Sequence, residues 1–388
     1  MEADIIRCQI QEWYPRFHRV SIKTILHPLP EPFVEILLDE GGLFLPKTSS
    51  SDGEDALPTR VRITCPDLQA EDYHHWEEED EDDEASTRPS FPELEKEVKK
   101  SIKTLGGFVF PKLNWSTPKD TAWIATNGTL KCSSFSEIVL LLRASDSLVN
   151  DLCHAFDSCE DKTADRPARF YLALRKWYDL RPEMEFRGFV RRGLLVGISQ
   201  REVTGFYPSL LEEREELESS IFGFFKDHIS EEFELNDYTF DCYVTRDGRV
   251  KLIDFSPWRA FTLPLLFSWE ELEKNYDEAL EKIKEMKSKP CNGACLRDTL
   301  TENLGNLGYD FDTKAKNWTQ LNLKLREEGH VLDFRIVGSE GRVQPSLTGS
   351  SGVPYDYIDT TPGSAWDEFL RSADEEVRKQ ANGPAAGA

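Results

Sequence analysis

Hydrophobic positions along the chain switch between helical and extended spacing, which predicts a mixture of helices and strands. Leu94, Val98, Ile102 and Leu105 recur at helical intervals. Pro92 falls in the first turn of that helix, Ser90 and Glu93 have capping-box spacing, and Gly106-Gly107 supplies a stop. Ser134 and Glu137 repeat the capping spacing ahead of the apolar run Ile138–Leu142. After Pro208, Ser209 and Glu212 open a helix with apolar positions at Leu210, Leu217, Ile221, Phe224, Phe225 and Ile229. Pro32–Leu38 reads as a short helix ending near Gly41-Gly42, and Glu270–Lys289 as a charged helix with a salt-bridged outer face. Extended spacing predicts strands at Phe108–Phe110, Thr121–Thr126 and Phe170–Trp177, with a short one at Arg60–Thr64. A hairpin is expected from Glu185–Val190 and Leu194–Gln200 around Arg191-Arg192-Gly193, and a late strand at Phe334–Val343.

The most informative stretch is Phe240–Trp258, where two apolar runs flank Asp247-Gly248, a pair suited to a tight hairpin turn. With those two residues as the loop, Arg246 faces Arg249 and Asp241 lies opposite Asp254. Opposite residues share a face, with Cβ atoms roughly 4.5–5.5 Å apart. Ser256 shares that face if the strand stays extended. A longer loop would break the pairing. Facing carboxylates repel unless one is protonated or a cation intervenes. Two readings stay open: a Mg²⁺–nucleotide platform, since Mg²⁺ takes one or two carboxylates plus phosphate oxygens, or a solvated hairpin with acids on its wet face.

Composition narrows the partners. The chain has 388 residues, 39% of them hydrophobic, so it can bury a sizeable core. Its formal net charge of −24 argues against a general nucleic-acid binder. Much of that charge is local: Glu77–Glu84 is an unbroken acidic run inside Lys47–Arg88, a long polar stretch expected to be a solvated loop. The eight cysteines include two close pairs, Cys153/Cys159 and Cys291/Cys295, without the second half of a zinc site. No apolar stretch is long enough to span a membrane and Met1–Ile10 lacks a signal-peptide core, so a cytoplasmic location is expected. Trp13, Tyr14 and Phe17 crowd the first segment, either as a small core or as an exposed contact patch for a partner.

No nucleophile elbow or Walker loop is present. Instead Lys112, Arg175, Lys176, Arg187 and Arg201 each lie on or beside an expected strand. Strand-borne cations in apolar surroundings are costly unless they meet an anion, and a triphosphate is one. Each could also reach solvent or pair with one of the many acids.

Four motifs, in order, then carry a resemblance: Glu12-Trp13-Tyr14-Pro15; Phe110-Pro111-Lys112-Leu113-Asn114-Trp115-Ser116; Leu174-Arg175-Lys176-Trp177 running to Glu185-Phe186-Arg187; and Leu252-Ile253-Asp254-Phe255, with Gly197-Ile198-Ser199-Gln200-Arg201 between the last two. From about Ile6 to Glu271, and again near Phe334–Leu370, the chain resembles the cell division cycle protein 123 family. That resemblance implies an α+β, ATP-grasp-like fold, with two halves of mainly antiparallel sheet enclosing a nucleotide cleft. It implies ATP and Mg²⁺ as ligands, and a role as assembly chaperone of eukaryotic translation initiation factor 2 through the C-terminal part of its gamma subunit. By the same likeness Lys112 reaches the phosphates, and Asn114, Trp115 and Ser116 belong to the loop covering them. Leu174, Arg175, Lys176 and Trp177 flank adenine, while Arg187 and Arg201 lie over the phosphate or ribose. Asp241 and Asp254 ligate Mg²⁺, with Ser256 as a third candidate ligand, and Trp13, Tyr14 and Phe17 are the expected partner contact.

The expected organisation is a partner-contact segment 1–47, an acidic loop 48–89, a first half 90–168, a second half 169–276, a charged insertion 277–330, a returning segment 331–375 with ordered pieces at Pro354–Tyr357 and Trp366–Leu370, and a disordered tail 376–388, in a monomer. Ser256 stands where the family has Asn, and a hydroxyl is a shorter, weaker ligand than an amide carbonyl. An active ATP-grasp ligase forming an acyl phosphate, and a scaffold with a purely structural nucleotide site, are the alternatives. Deleting Glu77–Glu84 is expected to leave nucleotide affinity unchanged in calorimetric titration, because the run lacks apolar residues to pack on a core. A large loss would contradict this.

Overall fold

The computed structural model describes residues 1–38, 89–125, 127–288 and 318–340. The expected strand at Arg60–Thr64, the acidic run, Cys291/Cys295, the end of the short helix at Gly41-Gly42, the pieces at Pro354–Tyr357 and Trp366–Leu370, and the tail lie outside the described residues.

In chain order the elements are α1 (Glu2–Arg7), α2 (Ile10–Phe17), β1 (Thr24–Pro28), α3 (Glu31–Leu38), α4 (Pro92–Leu105), β2 (Val109–Lys112), α5 (Phe135–Arg143), α6 (Asp146–Val149), β3 (Tyr171–Lys176), β4 (Glu185–Arg191), β5 (Leu194–Gln200), α7 (Pro208–Glu212), α8 (Arg214–Phe224), β6 (Tyr238–Val244), β7 (Val250–Pro257), α9 (Trp269–Ser288), α10 (Trp318–Glu327) and β8 (Phe334–Arg335). They form an α+β fold with two sheets. The first has the order β1-β3-β2, antiparallel throughout. The second has the order β7-β6-β4-β5-β8, antiparallel except where β8 joins β5.

Alternation explains the layers. Leu172 and Leu174 of β3 enter a core with Phe33, Val98 and Phe135, which fastens α3, α4 and α5 to the first sheet. Phe186, Ile198, Phe240 and Phe255 of the second sheet enter another core with Trp13 and Phe17 of α2 and Ile221 of α8. Phe189 and Val196 face the other way, onto Leu272, Tyr276 and Ile283 of α9 and Leu321 of α10. β3 is thus the central strand of the first sheet, not part of the second half as expected, because Leu172 and Leu174 belong to the first core. The N-terminal segment likewise supplies that sheet with an edge strand, β1.

Local expectations fare unevenly. Ser134 and Glu137 form a full capping box. Gly106 ends α4 with φ 101°, and Phe91 rather than Ser90 occupies its N-cap. The helix after Pro208 is interrupted at Glu213 and runs into a wide π turn at Phe225–Ile229. Among the described residues the strand expected at Thr121–Thr126 does not form. Lys119–Thr121 is a short 3₁₀ turn, closed by Thr121 Oγ1 donating to the Pro118 carbonyl at 2.8 Å, and turns continue beyond it. Among the described residues the late strand is limited to Phe334–Arg335, and Gly341–Val343 lie outside them. The β4–β5 hairpin turns through Arg192 and Gly193, both at positive φ, as a two-residue loop requires.

The β6–β7 hairpin departs from expectation twice, and the departures cancel. Its loop has three residues, not two: Thr245 N donates to the Arg249 carbonyl at 2.8 Å, Gly248 N to the Thr245 carbonyl at 2.9 Å, and Gly248 takes φ 75°. Cys242 therefore faces Leu252, one step off the expected register. A bulge then inserts Ile253 as an extra residue, and Asp241 faces Asp254 after all.

Gly188 of β4 pairs with Phe240 of β6, and a Cβ there would come within 2.3 Å of the Phe240 ring. That ring is buried and stacks on Phe225 at 5.8 Å. Gly188→Ala is expected to destabilise the protein by about 1–3 kcal/mol through overpacking, seen as a lower denaturant midpoint. An unchanged midpoint would contradict the tight β4–β6 packing.

Candidate functional site

Arg187 lies directly opposite Asp241 in the β4–β6 pair, and Asp241 opposite Asp254 in β6–β7, so the three project from one face. Arg187 grips Asp241 with two hydrogen bonds, Nε to Oδ1 at 2.7 Å and Nη2 to Oδ2 at 2.9 Å. Arg201, just beyond β5, adds Nε to Oδ2 at 2.8 Å and pairs with Glu185 at 3.0 Å. Burial works to raise the Asp241 pKa, but the two arginines hold the carboxyl well below its usual range. Burial likewise opposes the Arg201 charge, and Asp241 and Glu185 outweigh it.

Asp254 is held by a cation of the first sheet. Lys112, fully buried at the end of β2, places Nζ 2.7 Å from Asp254 Oδ2 and donates also to the Trp115 carbonyl. The Asp254 side chain is 17% exposed against 4% for Asp241, so Asp254 is the more open of the two acids. The acids coexist because the protein's own lysine and arginines neutralise them, a third solution beside the proton and the added metal considered from sequence.

The other expected residues divide. Arg175 of β3 crosses to the second sheet, donating from Nη2 to the Ile253 carbonyl at 2.8 Å. It is fully buried, its Nε has no partner, and loss of hydration lowers its pKa. Leu174 points into the first core, away from the cleft, because it alternates with Arg175. Lys176 lies over the Tyr178 ring and Trp177 meets Phe110 edge-on. Asn114, Trp115 and Ser116 use their side chains to knit the loop rather than to line the cleft. Asn114 Nδ2 donates to the Arg169 carbonyl and its Oδ1 accepts from Tyr171 N, while Trp115 Nε1 donates to the Ile5 carbonyl. Buried Asp151 takes the amides of Trp115 and Ser116, at 3.0 and 2.7 Å, and the Ser116 hydroxyl. Burial raises the Asp151 pKa against those hydrogen bonds.

Trp13 and Phe17, expected on a contact surface, are core residues packed edge-on to Phe255, the neighbour of Asp254. Burying two large rings behind β7 outweighs exposing them. Tyr14 is half-buried, and its hydroxyl accepts from Thr24 N at 2.7 Å. Among the described residues no three His, Cys, Asp or Glu cluster to hold a metal.

One residue escaped the sequence pattern. Lys119, on the 3₁₀ turn, stands close enough to Arg201, Glu185, Asp241 and Arg187 to feel their charges. No local pattern singled it out, because it stands in the turn ahead of the expected strand.

The donor set fits a magnesium–polyphosphate pair. Ser256 lies opposite Thr239, whose buried Oγ1 has no partner, so hydroxyl oxygens adjoin the two carboxylates. Hard oxygens of this kind suit Mg²⁺. The orphaned Nε of Arg175 suits an anion. Lys112, Lys119, Arg175, Arg187 and Arg201 face Asp241, Asp254 and Glu185, an excess of two positive charges in a chain of net charge −24.

Fold and site together define an α+β protein with a cation-rich, carboxylate-centred cluster that joins two sheets. The chain belongs to the D123 family, whose model matches residues 13–361. It is 41% identical over 274 residues to the Xenopus laevis protein named translation initiation factor eIF2 assembly protein, covering 71% of this chain and 79% of that one. It is 36% identical to the protein of the same name in Xenopus tropicalis, covering 93% of each chain. The structure of Cdc123 from Schizosaccharomyces pombe matches with a TM-score of 0.56 and 32% identity, over 71% of this chain and 92% of that one. These findings bear out the resemblance read from the four motifs. Among the described residues, no helix is long and apolar enough to cross a membrane.

Arg187→Met leaves Asp241 buried with one arginine and is expected to cost about 3–5 kcal/mol at pH 7 in chemical denaturation. The depressed Asp241 pKa means its contribution is complete above the ordinary carboxylate pKa of about 3.9 and fades as pH falls below it. The difference between wild type and variant should therefore be constant above about pH 5 and narrow below about pH 4. A difference independent of pH down to acid unfolding would contradict the ion-pair account.

Proposed function

We propose that the chain binds ATP with Mg²⁺ in the cleft between its sheets and serves as an assembly chaperone of eukaryotic translation initiation factor 2 in the cytoplasm. The observation that carries the nucleotide reading is the pairing of Asp241 with Asp254 on one face, ringed by cations in excess. Asp254 and Asp241 would hold the metal, with Ser256 beside them. When bound, Mg²⁺ would offset phosphate charge and fix the phosphates relative to the carboxylates. Lys112 would exchange Asp254 for a phosphate oxygen, a move the long lysine stem allows. Arg187 and Arg201 are oriented by Asp241 and so present fixed donors. The adenine would lie beside the Lys176–Trp177 end of β3.

The assembly role is supported by the names of the relatives, which cover most of the chain. The partner proposed is the gamma subunit, through its C-terminal domain. A chaperone is favoured over a ligase because the relatives are named assembly proteins and because Asp241, Asp254 and Glu185 are engaged with Lys112, Arg187 and Arg201.

Asp254→Asn keeps the shape and removes the charge. It is expected to weaken Mg·ATP binding about tenfold or more in calorimetric titration, and to reduce capture of the gamma subunit and joining of the alpha subunit in a pull-down with ATP present. Unchanged nucleotide affinity would contradict the site. Lost affinity with intact assembly would favour a structural nucleotide.

A further inference from the structure

The Trp115–Ser116 peptide joins Lys112 to the rest of the first half. Its carbonyl accepts from Lys112 Nζ, which also reaches Asp254 Oδ2 at 2.7 Å. Its N–H donates to Asp151 Oδ2 at 2.7 Å. In a planar trans peptide the carbonyl and the N–H point in opposite directions, so whatever holds the N–H also sets where the carbonyl points.

Asp151 holds that N–H firmly. The same Oδ2 accepts from Trp115 N at 3.0 Å, and Oδ1 accepts from the Ser116 hydroxyl at 2.6 Å. Three donors thus converge on one side chain, and an acceptor is what they require. Leu113 N closes the loop on the Ser116 carbonyl at 2.9 Å. The carboxylate cannot drift away from its partners. Asp151 is buried in the π turn Asn150–His154, between Leu148 and Leu152, which both sit in the core of the first sheet. Its burial is costly in itself, and the bonds that offset the cost all go to the loop behind Lys112.

We propose that Asp151 is a positioning residue for Lys112. By holding the Trp115–Ser116 N–H, it aims the peptide carbonyl at the Lys112 ammonium. That carbonyl is the contact Lys112 keeps when it leaves Asp254 for a phosphate oxygen. The hold on Lys112 exists in the nucleotide-free protein, and its use in gripping a phosphate rests on the nucleotide reading above. What matters at position 151 is an acceptor of the right length, not the charge.

The test compares full-length wild type with Asp151→Asn and Asp151→Ala. Lysine ammonium signals of nucleotide-free protein labelled with ¹⁵N-lysine are followed by NMR, with Lys112→Met identifying the signal of Lys112. Mg·ATP and Mg·tripolyphosphate are titrated into each protein by calorimetry. Expected is a Lys112 ammonium protected from exchange with water in wild type and Asp151→Asn, and exchange about tenfold faster or more in Asp151→Ala. Asp151→Ala should bind both ligands about tenfold more weakly, and Asp151→Asn within about threefold of wild type, because its carbonyl oxygen still accepts the amides. Melting temperatures show that each variant is folded. If Asp151→Ala is not, Asp151→Ser takes its place, since a serine hydroxyl is too short to hold both amides.

A wild-type Lys112 ammonium open to exchange, equal protection in Asp151→Ala, or equal loss in Asp151→Asn and Asp151→Ala overturns the positioning role. Wild type that binds both ligands while Asp151→Ala binds them as tightly overturns its part in gripping the phosphate. Wild type that binds neither ligand overturns the nucleotide reading, and the exchange rates then decide the hold on Lys112 separately.

Discussion

The pairing of β6 with β7 is the constraint on which the site depends. A three-residue loop would leave Asp241 out of step with Asp254, and the extra residue Ile253 brings them level. Bulges re-aim side chains in this way, and here the re-aimed side chain is a carboxylate. The bulge also leaves the Ile253 carbonyl free to accept from Arg175, so one irregularity both pairs the acids and ties the second sheet to the first. Ser21 and Val20 add hydrogen bonds to Leu252 on the same stretch.

Electrostatics then set the behaviour of the cleft. The two acids are each neutralised, one by Lys112 and one by the Arg187–Arg201 pair. Binding of the proposed metal and nucleotide would therefore be an exchange of partners rather than the filling of an empty charge. A bare divalent cation would have to displace Lys112 without giving it a new anion, and a bare polyphosphate would have to crowd two carboxylates. A metal and a polyphosphate arriving together would satisfy both sets of groups, which is the physical reason for proposing the pair.

Much of this was legible in the residues, for reasons that differ by element. The capping box at Ser134, the αL stop at Gly106 and the hairpin at Arg192-Gly193 rest on local chemistry and appear as read. Asp241 opposite Asp254 was reached by a register that was wrong at the turn and rescued by a bulge, which no local pattern announces. The sheet membership of β3 was missed because an apolar strand does not say which core it enters. Lys119 was missed because it stands in the turn ahead of the expected strand, and the fixing of that turn by Asp120 depends on Ser145 and Ser147 far along the chain. Asn114, Trp115 and Ser116 carry a recognisable motif, yet their side chains fix the loop through Asp151, Arg169 and Ile5. The motif marks the frame of the site as much as its lining.

The N-terminal aromatics complete the support. Trp13 and Phe17 pack behind Phe255, whose neighbour is Asp254, so the first helices brace the strand that carries the more open acid. The central claim is that Asp241 and Asp254 form one metal–polyphosphate platform, and Mn²⁺ in place of Mg²⁺ in crystals grown with ATP tests it most directly. The account predicts an anomalous-scattering peak within ligand distance of both carboxylates, with Lys112 turned from Asp254 to a phosphate. A peak elsewhere, or nucleotide bound with both ion pairs intact, would contradict it.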